Sequence, residues 1–214
     1  MRQTLLVLGI LMVAPLTTAD ATLLTYFTRA AFQADAPGLA LEDFEASTLA
    51  SGTAAAFAGP LNSTTNNAYF STGSVLAGFS LAPTSGNIYN GRDHGGVATS
   101  VVSSNSFGAD LNLSISVNAV GLDLNGFNGV DGAWSVDVHG AGGSLGAFNL
   151  PTGGFFGVIS TSEDIICLAL NKPNSGGSID NFEYGRSTIP EPSTALLLGL
   201  GMLGAGLIRR KRRS

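Results

Sequence analysis

Four carboxylates are the side chains of this sequence best suited to bind a metal ion. Asp43 and Glu45 lie in a short acidic run that begins at Glu42, and Asp180 lies near the opposite end of the chain. Carboxylate and carbonyl oxygens are the ligands that Ca²⁺ prefers, and surplus negative charge suits the ion. The sequence therefore predicts a structural Ca²⁺ at Asp43, Glu45 and Asp180, with solvated acids as the alternative, and no other cofactor.

The sequence contains no recognisable catalytic motif. His94 lies beside Arg92 and Asp93 in a polar segment that a solvated loop also explains, and His139 alternates with the apolar residues of one stretch. His-Glu-x-x-His and a phosphate-binding loop are missing from the sequence, and its single Gly-x-Ser-x-Gly match, at 142–146, opens on the turn signal Gly142-Gly143. The single cysteine, Cys167, stands in an apolar run that predicts a small buried residue. We therefore expect that the protein is not an enzyme.

The composition indicates one acidic globular domain. Of the 214 residues, 44% are hydrophobic and 29 are glycine, which is too apolar for a disordered chain. Between Thr22 and Ser187 the acidic residues far outnumber the basic ones, which are Arg29, Arg92, Lys172 and Arg186. Binding to nucleic acid requires a basic surface along the phosphates, so this class of partner is excluded.

Apolar and polar residues alternate along the middle of the chain, as they do in strands with one buried face. The odd positions from Leu111 to Val117 are apolar, including Ile115, and the pattern returns at 120–124 and 134–138. Glycine-containing turn signals separate these runs. The sequence therefore predicts an all-β fold, an antiparallel β-sandwich of jelly-roll type. Further strands are predicted at 23–27, 39–44, 68–72, 75–81, 97–102, 144–150, 155–160, 165–170 and 178–184.

Carbohydrate binding is an alternative function for such a domain, with exopolysaccharide as the ligand. Jelly-roll sugar-binding modules often hold a structural Ca²⁺ where the first and last strands meet. Trp134 is predicted to be buried, because it alternates with Val136 and Val138. A polysaccharide-active enzyme is the third hypothesis, and it is disfavoured because no pair of carboxylates has a recognisable context. The aromatic candidates for stacking on a sugar ring are Tyr69, Phe70, Tyr89, Phe155 and Phe156.

The N-terminus has the three parts of a secretory signal peptide. A short basic start with Arg2 precedes the apolar run 5–16, and Ala19 and Ala21 occupy the small-residue positions of a signal peptidase site. We expect signal peptidase to cleave after Ala21, so that residues 1–21 are removed and the protein is exported.

The C-terminus predicts a short membrane anchor. The uncharged stretch 193–208 would be roughly 24 Å long as a helix, against a hydrocarbon core of about 30 Å. By the positive-inside rule the basic cluster should stay in the cytoplasm and hold the helix in the inner membrane. This cluster consists of Arg209, Arg210, Lys211, Arg212 and Arg213.

The tripeptide Pro190-Glu191-Pro192, followed by a Gly- and Leu-rich helix and a basic cluster, resembles the PEP-CTERM sorting signal of exported Gram-negative proteins. The resemblance implies that an exosortase, a membrane transpeptidase, recognises Pro190, Glu191 and Pro192 and releases the tail. It also implies transient anchoring, then a cell-surface or extracellular location, in systems that accompany exopolysaccharide production. Two prolines favour an extended segment that an enzyme can bind.

Three segments thus make up the chain: a signal peptide (1–21), a β domain (22–186) and a sorting signal (187–214). Within the domain, one short helix is predicted at 29–34 with Thr28 as its N-cap. Both ends of the domain, around Arg29 and around Asp180-Asn181, also resemble segments of exported domains with PEP-type tails. That resemblance supports a jelly roll and implies no activity. Our first expectation is a non-catalytic protein of the cell surface or extracellular matrix.

Overall fold

The computed structural model describes residues 22–94, 97–103, 107–126, 132–161, 163–172 and 176–188. Within these ranges the chain forms fourteen strands, arranged as two antiparallel sheets, and one short helix. The predicted signal peptide and the sorting signal from residue 189 lie outside the described residues. Among the residues described, no helix is long and apolar enough to cross a membrane, and the predicted span 193–208 is not among them.

The first sheet, here called sheet A, has the order β1-β12-β9-β14-β7-β6-β3, with β2 also paired to β14. Sheet B has the order β11-β10-β13-β8-β5-β4. The strands of sheet A are β1 (Leu23–Tyr26), β2 (Ala40–Glu42), β3 (Thr53–Phe57), β6 (Ile88–His94), β7 (Val97–Ser103), β9 (Ala119–Gly126), β12 (Gly154–Ser160) and β14 (Gly177–Gly185). The strands of sheet B are β4 (Leu61–Asn62), β5 (Phe79–Pro83), β8 (Phe107–Leu113), β10 (Trp134–Gly140), β11 (Gly143–Leu150) and β13 (Ile165–Lys172).

One apolar core lies between the two sheets. Sheet A contributes residues such as Leu122 and Phe156, and sheet B contributes Val136 and Leu168, all fully buried. The alternation along β10 is regular: its even-numbered residues are buried and point into the core, and its odd-numbered residues are partly exposed. Trp134 is buried at the start of this strand, as predicted.

The single helix, α1 (Arg29–Asp35), covers the outer face of sheet A. The Phe32 ring lies over two glycines that are partners across β9 and β12, Gly121 and Gly157. A Cβ atom added to either glycine would lie 2.8 Å from ring atoms of Phe32, so the close approach of helix and sheet requires glycine there. Thr28 is the N-cap residue by position, but its side chain makes no capping hydrogen bond.

The prediction that Ile115 faces the core is wrong. Leu111 and Val117 are fully buried, but 52% of Ile115 is exposed. The reason is that β8 ends at Leu113, and the chain then bends to cross from sheet B to sheet A at Ala119. Period-two alternation fixes the side-chain direction only while the backbone stays extended, so the apparent pattern beyond Leu113 was fortuitous.

Strand bounds in the first half of the domain also differ from the prediction. Residues 68–72 are bend and turn, and the strand expected at 75–81 begins only at Phe79. Three strands that the sequence analysis did not predict, β3, β4 and β6, occur here. The polar segment at His94, which a solvated loop also explained, belongs to β6, and β3 is mostly alanine, which has low β propensity. Pairing to β6 across the sheet overrides that weak local preference.

Candidate functional site

Arg29, the first residue of α1, ties the helix to two strands of sheet A. Its guanidinium forms a salt bridge of 3.0 Å with Asp123 of β9 and a second salt bridge with Glu183 of β14. It also donates a hydrogen bond of 3.1 Å to the backbone carbonyl of Asn181. Gln33, one turn later in the helix, donates to the same Glu183 carboxylate at 3.0 Å. The planar fork of arginine donors suits this multiple engagement.

A β-bulge in β14 shapes this network. The register with β9 shifts between Asp180 and Glu183, and Asn181 within the shift has a φ of 47°. Asparagine tolerates this left-handed conformation better than most residues. Its side-chain amide donates to Asp123 at 3.0 Å, which closes the network around Arg29. The Asp-Asn pair is therefore placed where the strand needs a bulge.

The bulge also buries Asp180 among other acids. Burial, together with the charges of Asp123, Glu45 and Asp43, raises the pKa of Asp180 from its ordinary value of 3.8 to about 7. A hydrogen bond of 2.7 Å from the backbone N–H of Asn181 acts in the opposite direction. The structure thus brings the two ends of the domain together at the three residues predicted to bind Ca²⁺.

These acids do not form a metal site as they stand. Among the described residues, no group of three or more His, Cys, Asp or Glu side chains is placed to hold a metal ion. Asp43 instead accepts a hydrogen bond of 3.0 Å from the backbone N–H of Glu45, and Asp123 is engaged by Arg29. The Ca²⁺ site at Asp43, Glu45 and Asp180 therefore stays a prediction.

A groove of about 470 Å³ lies beside the Arg29 network. Its lining includes the aromatic residues Phe27 and Phe155, and the Arg29 guanidinium lies 4.7 Å from the centre of the Phe155 ring. Phe27 is 62% exposed, although it is a large apolar side chain. Asn149 and Thr152 contribute polar groups to the lining. The end of β11, the turn after it and the start of β12 supply the rest of the lining.

Only part of the aromatic set predicted for sugar stacking is accessible. Phe70 and Phe156 are buried in the core, whereas Phe155 is half-buried and lines the groove. Tyr69 and Tyr89 are half-buried and lie outside the groove lining. The sequence analysis missed Phe27 as a stacking candidate. Its position directly after a strand, next to polar Thr28, is the signal that would have found it.

The histidines and the cysteine offer little chemistry. His139 faces away from the core, and its Nε2 lies 3.2 Å from an Asp137 carboxylate oxygen. Cys167 is half-buried rather than fully buried, and burial raises the pKa of its thiol to about 11, which disfavours the nucleophilic thiolate. The side chain of His94 is not described. The sequence analysis predicted no catalytic residue, and the contacts of His139 and Cys167 do not suggest a catalytic role for either.

The sorting residues predicted from sequence all lie outside the described residues. They are Ala19, Ala21, Pro190, Glu191, Pro192, Arg209, Arg210, Lys211, Arg212 and Arg213. Residues 188–213 match the model of the PEP-CTERM protein-sorting motif, which confirms the resemblance drawn from the tripeptide, apolar stretch and basic cluster. Curated proteins gave no match to the chain. The chain therefore carries a PEP-CTERM sorting motif directly after its described β domain.

Proposed function

We propose that this is a non-catalytic protein of the cell surface or extracellular matrix that displays its β domain outside the cell. The PEP-CTERM motif at residues 188–213 carries the proposal, because such a motif marks an exported protein processed by an exosortase. In this scheme signal peptidase removes residues 1–21, the 193–208 span anchors the chain briefly in the inner membrane, and the exosortase releases the tail near Pro190-Glu191-Pro192.

A jelly roll is the fold that we propose for the displayed domain. Strand connectivity supports it: from β7 onward, successive strands alternate between the sheets except at the β10–β11 hairpin. In sheet A this gives the order β7-β14-β9-β12, and in sheet B it gives β8-β13-β10-β11. Two interleaved four-stranded antiparallel sheets with these connections form two Greek keys. The shared apolar core supports the sandwich packing.

Processing can be tested by mass spectrometry of the full chain produced together with an exosortase. We expect the surface fraction to begin at Thr22 and to end near Pro192. Replacing Glu191 by Gln should leave the tail attached, since the enzyme reads the tripeptide. Finding Arg209 to Ser214 on the surface form of the unaltered protein would contradict release and leave a permanently anchored protein.

Glycan binding is the second candidate function, and the groove beside Arg29 favours it. A sugar presents an apolar ring face and a rim of hydroxyl groups, and the groove lining includes an exposed Phe27 ring and the polar side chains of Asn149 and Thr152. The Arg29 guanidinium lies over the second ring, Phe155, and holds it in place. A polysaccharide-active enzyme is the remaining alternative, and Asp123, the strand partner of Phe155, is already engaged by Arg29 and Asn181.

Titration of the mature protein with soluble polysaccharide, followed by analysis of the sugar for new reducing ends, separates these functions. Loss of one stacking ring costs about 0.5–1.5 kcal/mol, so Phe27→Ala should weaken binding roughly 2- to 12-fold. Ile166→Ala removes an exposed apolar side chain of sheet B and is the matched control. Equal binding by both variants would remove the groove from consideration, and new reducing ends would establish an enzyme.

A further inference from the structure

The last described residues of the domain are held by a set of hydrogen bonds that we call the clasp: Ser187 with Asn118 and Asp35. The backbone N–H of Ser187 donates to the side-chain carbonyl of Asn118 at 2.7 Å, and the Asn118 amide donates back to the Ser187 carbonyl at 3.2 Å. The Ser187 hydroxyl donates to the Asp35 carbonyl at 2.7 Å. Ser187 is buried, so these bonds are shielded from water.

The clasp extends the central ladder of sheet A. The backbone N–H of Asn118 already donates to the Gly185 carbonyl at 3.0 Å, next to the β9–β14 pair of Ala119 and Gly185. The Asn118 side chain then pairs with both backbone groups of Ser187, as a neighbouring strand would. Arg186 binds Asp164 at 2.8 Å on the other side of the chain. The polypeptide is therefore fixed in place up to Ser187.

The beginning of the mature domain lies at the same end of the fold. Leu23 pairs with Ser160 at the end of β12, and the backbone N–H of Ser160 donates to the Asn118 carbonyl at 2.8 Å. The Thr22 carbonyl accepts a hydrogen bond of 3.1 Å from Thr161. Before processing, both ends of the domain lead toward the membrane, so this end must face it.

Little chain separates the clasp from the sorting tripeptide. Pro190 is three residues after Ser187, and three extended residues span at most about 11 Å. A compact domain of this length has a radius of gyration of roughly 15 Å. The domain is therefore several times wider than the segment that separates Ser187 from Pro190. Recognition of an extended peptide uses hydrogen bonds along its main chain, so the enzyme must reach the backbone around the tripeptide. The folded domain ends within three residues of the tripeptide on its N-terminal side.

We propose that the clasp acts as a brake on exosortase processing: the tripeptide becomes accessible when Ser187 leaves Asn118 and Asp35. This inference rests on the proposed exosortase function and adds the step that controls it. The interaction partner is the membrane-embedded processing enzyme, and the surface that must yield to it is the end of the domain built by Asn118, Ser160 and Ser187. Opening the clasp frees the chain that follows Arg186, which Asp164 still holds, and lets the processing enzyme approach the tripeptide.

Pulse–chase measurement of tail release, with the full chain and an exosortase in the same cells, tests the brake. A flexible ten-residue Gly-Ser insertion between Ser187 and Thr188 leaves the clasp closed but moves the domain away, and it should speed release. Asn118→Ala and Ser187→Pro each remove clasp bonds. Because one hydrogen bond contributes about 1 kcal/mol net, or roughly fivefold in an equilibrium, each variant should release the tail about five- to tenfold faster. Ser114→Ala, outside the clasp, is the control.

The outcomes separate the brake from the function on which it rests. Faster release in the insertion variant and in either clasp variant supports the brake. Release at the unaltered rate in the insertion variant overturns it, and slower release overturns it in favour of a clasp that positions the tripeptide. Thermal unfolding of the insertion variant verifies that its domain is intact. If no form is processed, including the insertion variant, the exosortase function itself is refuted and the brake with it.

Discussion

Replacing Asp180 by Asn should stabilise the domain at alkaline pH and flatten its pH dependence. The pKa of Asp180 is raised from 3.8 to about 7, chiefly by burial and then by the neighbouring acids. A raised pKa means that the folded state holds this proton more tightly than the unfolded state. The associated stability is fully present below about pH 4, falls as the pH rises toward 7, and stays low above it.

The size of the effect follows from the shift. Each pKa unit corresponds to 1.36 kcal/mol, so about three units set a ceiling of roughly 4 kcal/mol. Residual contact with water at the bulge reduces this value, and we expect about 2 kcal/mol. Asparagine keeps the carbonyl oxygen that accepts the Asn181 N–H and removes only the charge. Burial also raises the pKa of Glu42, whose effect has the same sign and remains in the variant.

Urea titrations of the unaltered domain and Asp180→Asn at about pH 5 and about pH 8 measure the effect. The variant should gain more stability at the higher pH than at the lower. Asp110→Asn, on the opposite sheet, makes the same change in net charge and serves as the control. If the variant keeps the slope of the unaltered domain, or if the control flattens it equally, burial of Asp180 does not govern the pH dependence.

The same protein tests the predicted Ca²⁺ site. If Asp43, Glu45 and Asp180 share an ion, Ca²⁺ at about 100 times its dissociation constant should add roughly 2.7 kcal/mol at the higher pH. Chelation should reverse the gain, and Asp180→Asn should show less of it. An unchanged melting temperature on addition of Ca²⁺ would establish these groups as solvated or protonated acids.

Two further predictions concern the core and the Arg29 network. Leu111→Asn should lower the free energy of unfolding by several kcal/mol, because it places an amide in the apolar layer. Ile115→Asn should change the free energy of unfolding by less than about 1 kcal/mol, because Ile115 is half exposed. Comparable urea midpoints for the two variants would contradict the observed direction of these side chains. Arg29→Met keeps most of the side-chain volume but leaves buried Glu183 without its cation, so it should lower the free energy of unfolding by about 2 kcal/mol, measured by thermal unfolding. Arg186→Met, which removes the cation of an exposed ion pair, should lower it by less.

Sequence periodicity predicted the parts of the fold in which local and tertiary preferences agree. β9, β10 and β12 alternate or run apolar over most of their lengths, and α1 begins at Arg29 as predicted, although Thr28 makes no capping hydrogen bond. The prediction that Ile115 is buried was wrong because periodicity carries no information on where a strand ends. The apolar sequence continues after Leu113, but the chain must leave sheet B to reach β9.

The sequence analysis singled out the two segments that form the candidate site, around Arg29 and around Asp180-Asn181, but it could not predict which residues of the two segments contact each other. Arg29 and Glu183 are separated by 154 positions, and no local pattern pairs them. The bulge that positions Asn181 is likewise a property of the β9–β14 register. The groove combines Phe27 with a segment more than a hundred residues later, because β1 pairs with β12. Contacts of such sequence separation follow from topology, which a short motif does not determine.

The arrangement of the two ends of the domain connects the sorting signal to the groove. β12 runs from Gly154, which lines the groove, to Ser160, which lies beside the clasp. Its six residue steps span roughly 20 Å, which separates the groove from the clasp. In the proposed anchored form, tethered through Ser187, the groove lining at Gly154 would lie at the end of β12 away from the tether. The proposed polysaccharide binding and the proposed tail release would therefore use separate parts of the domain.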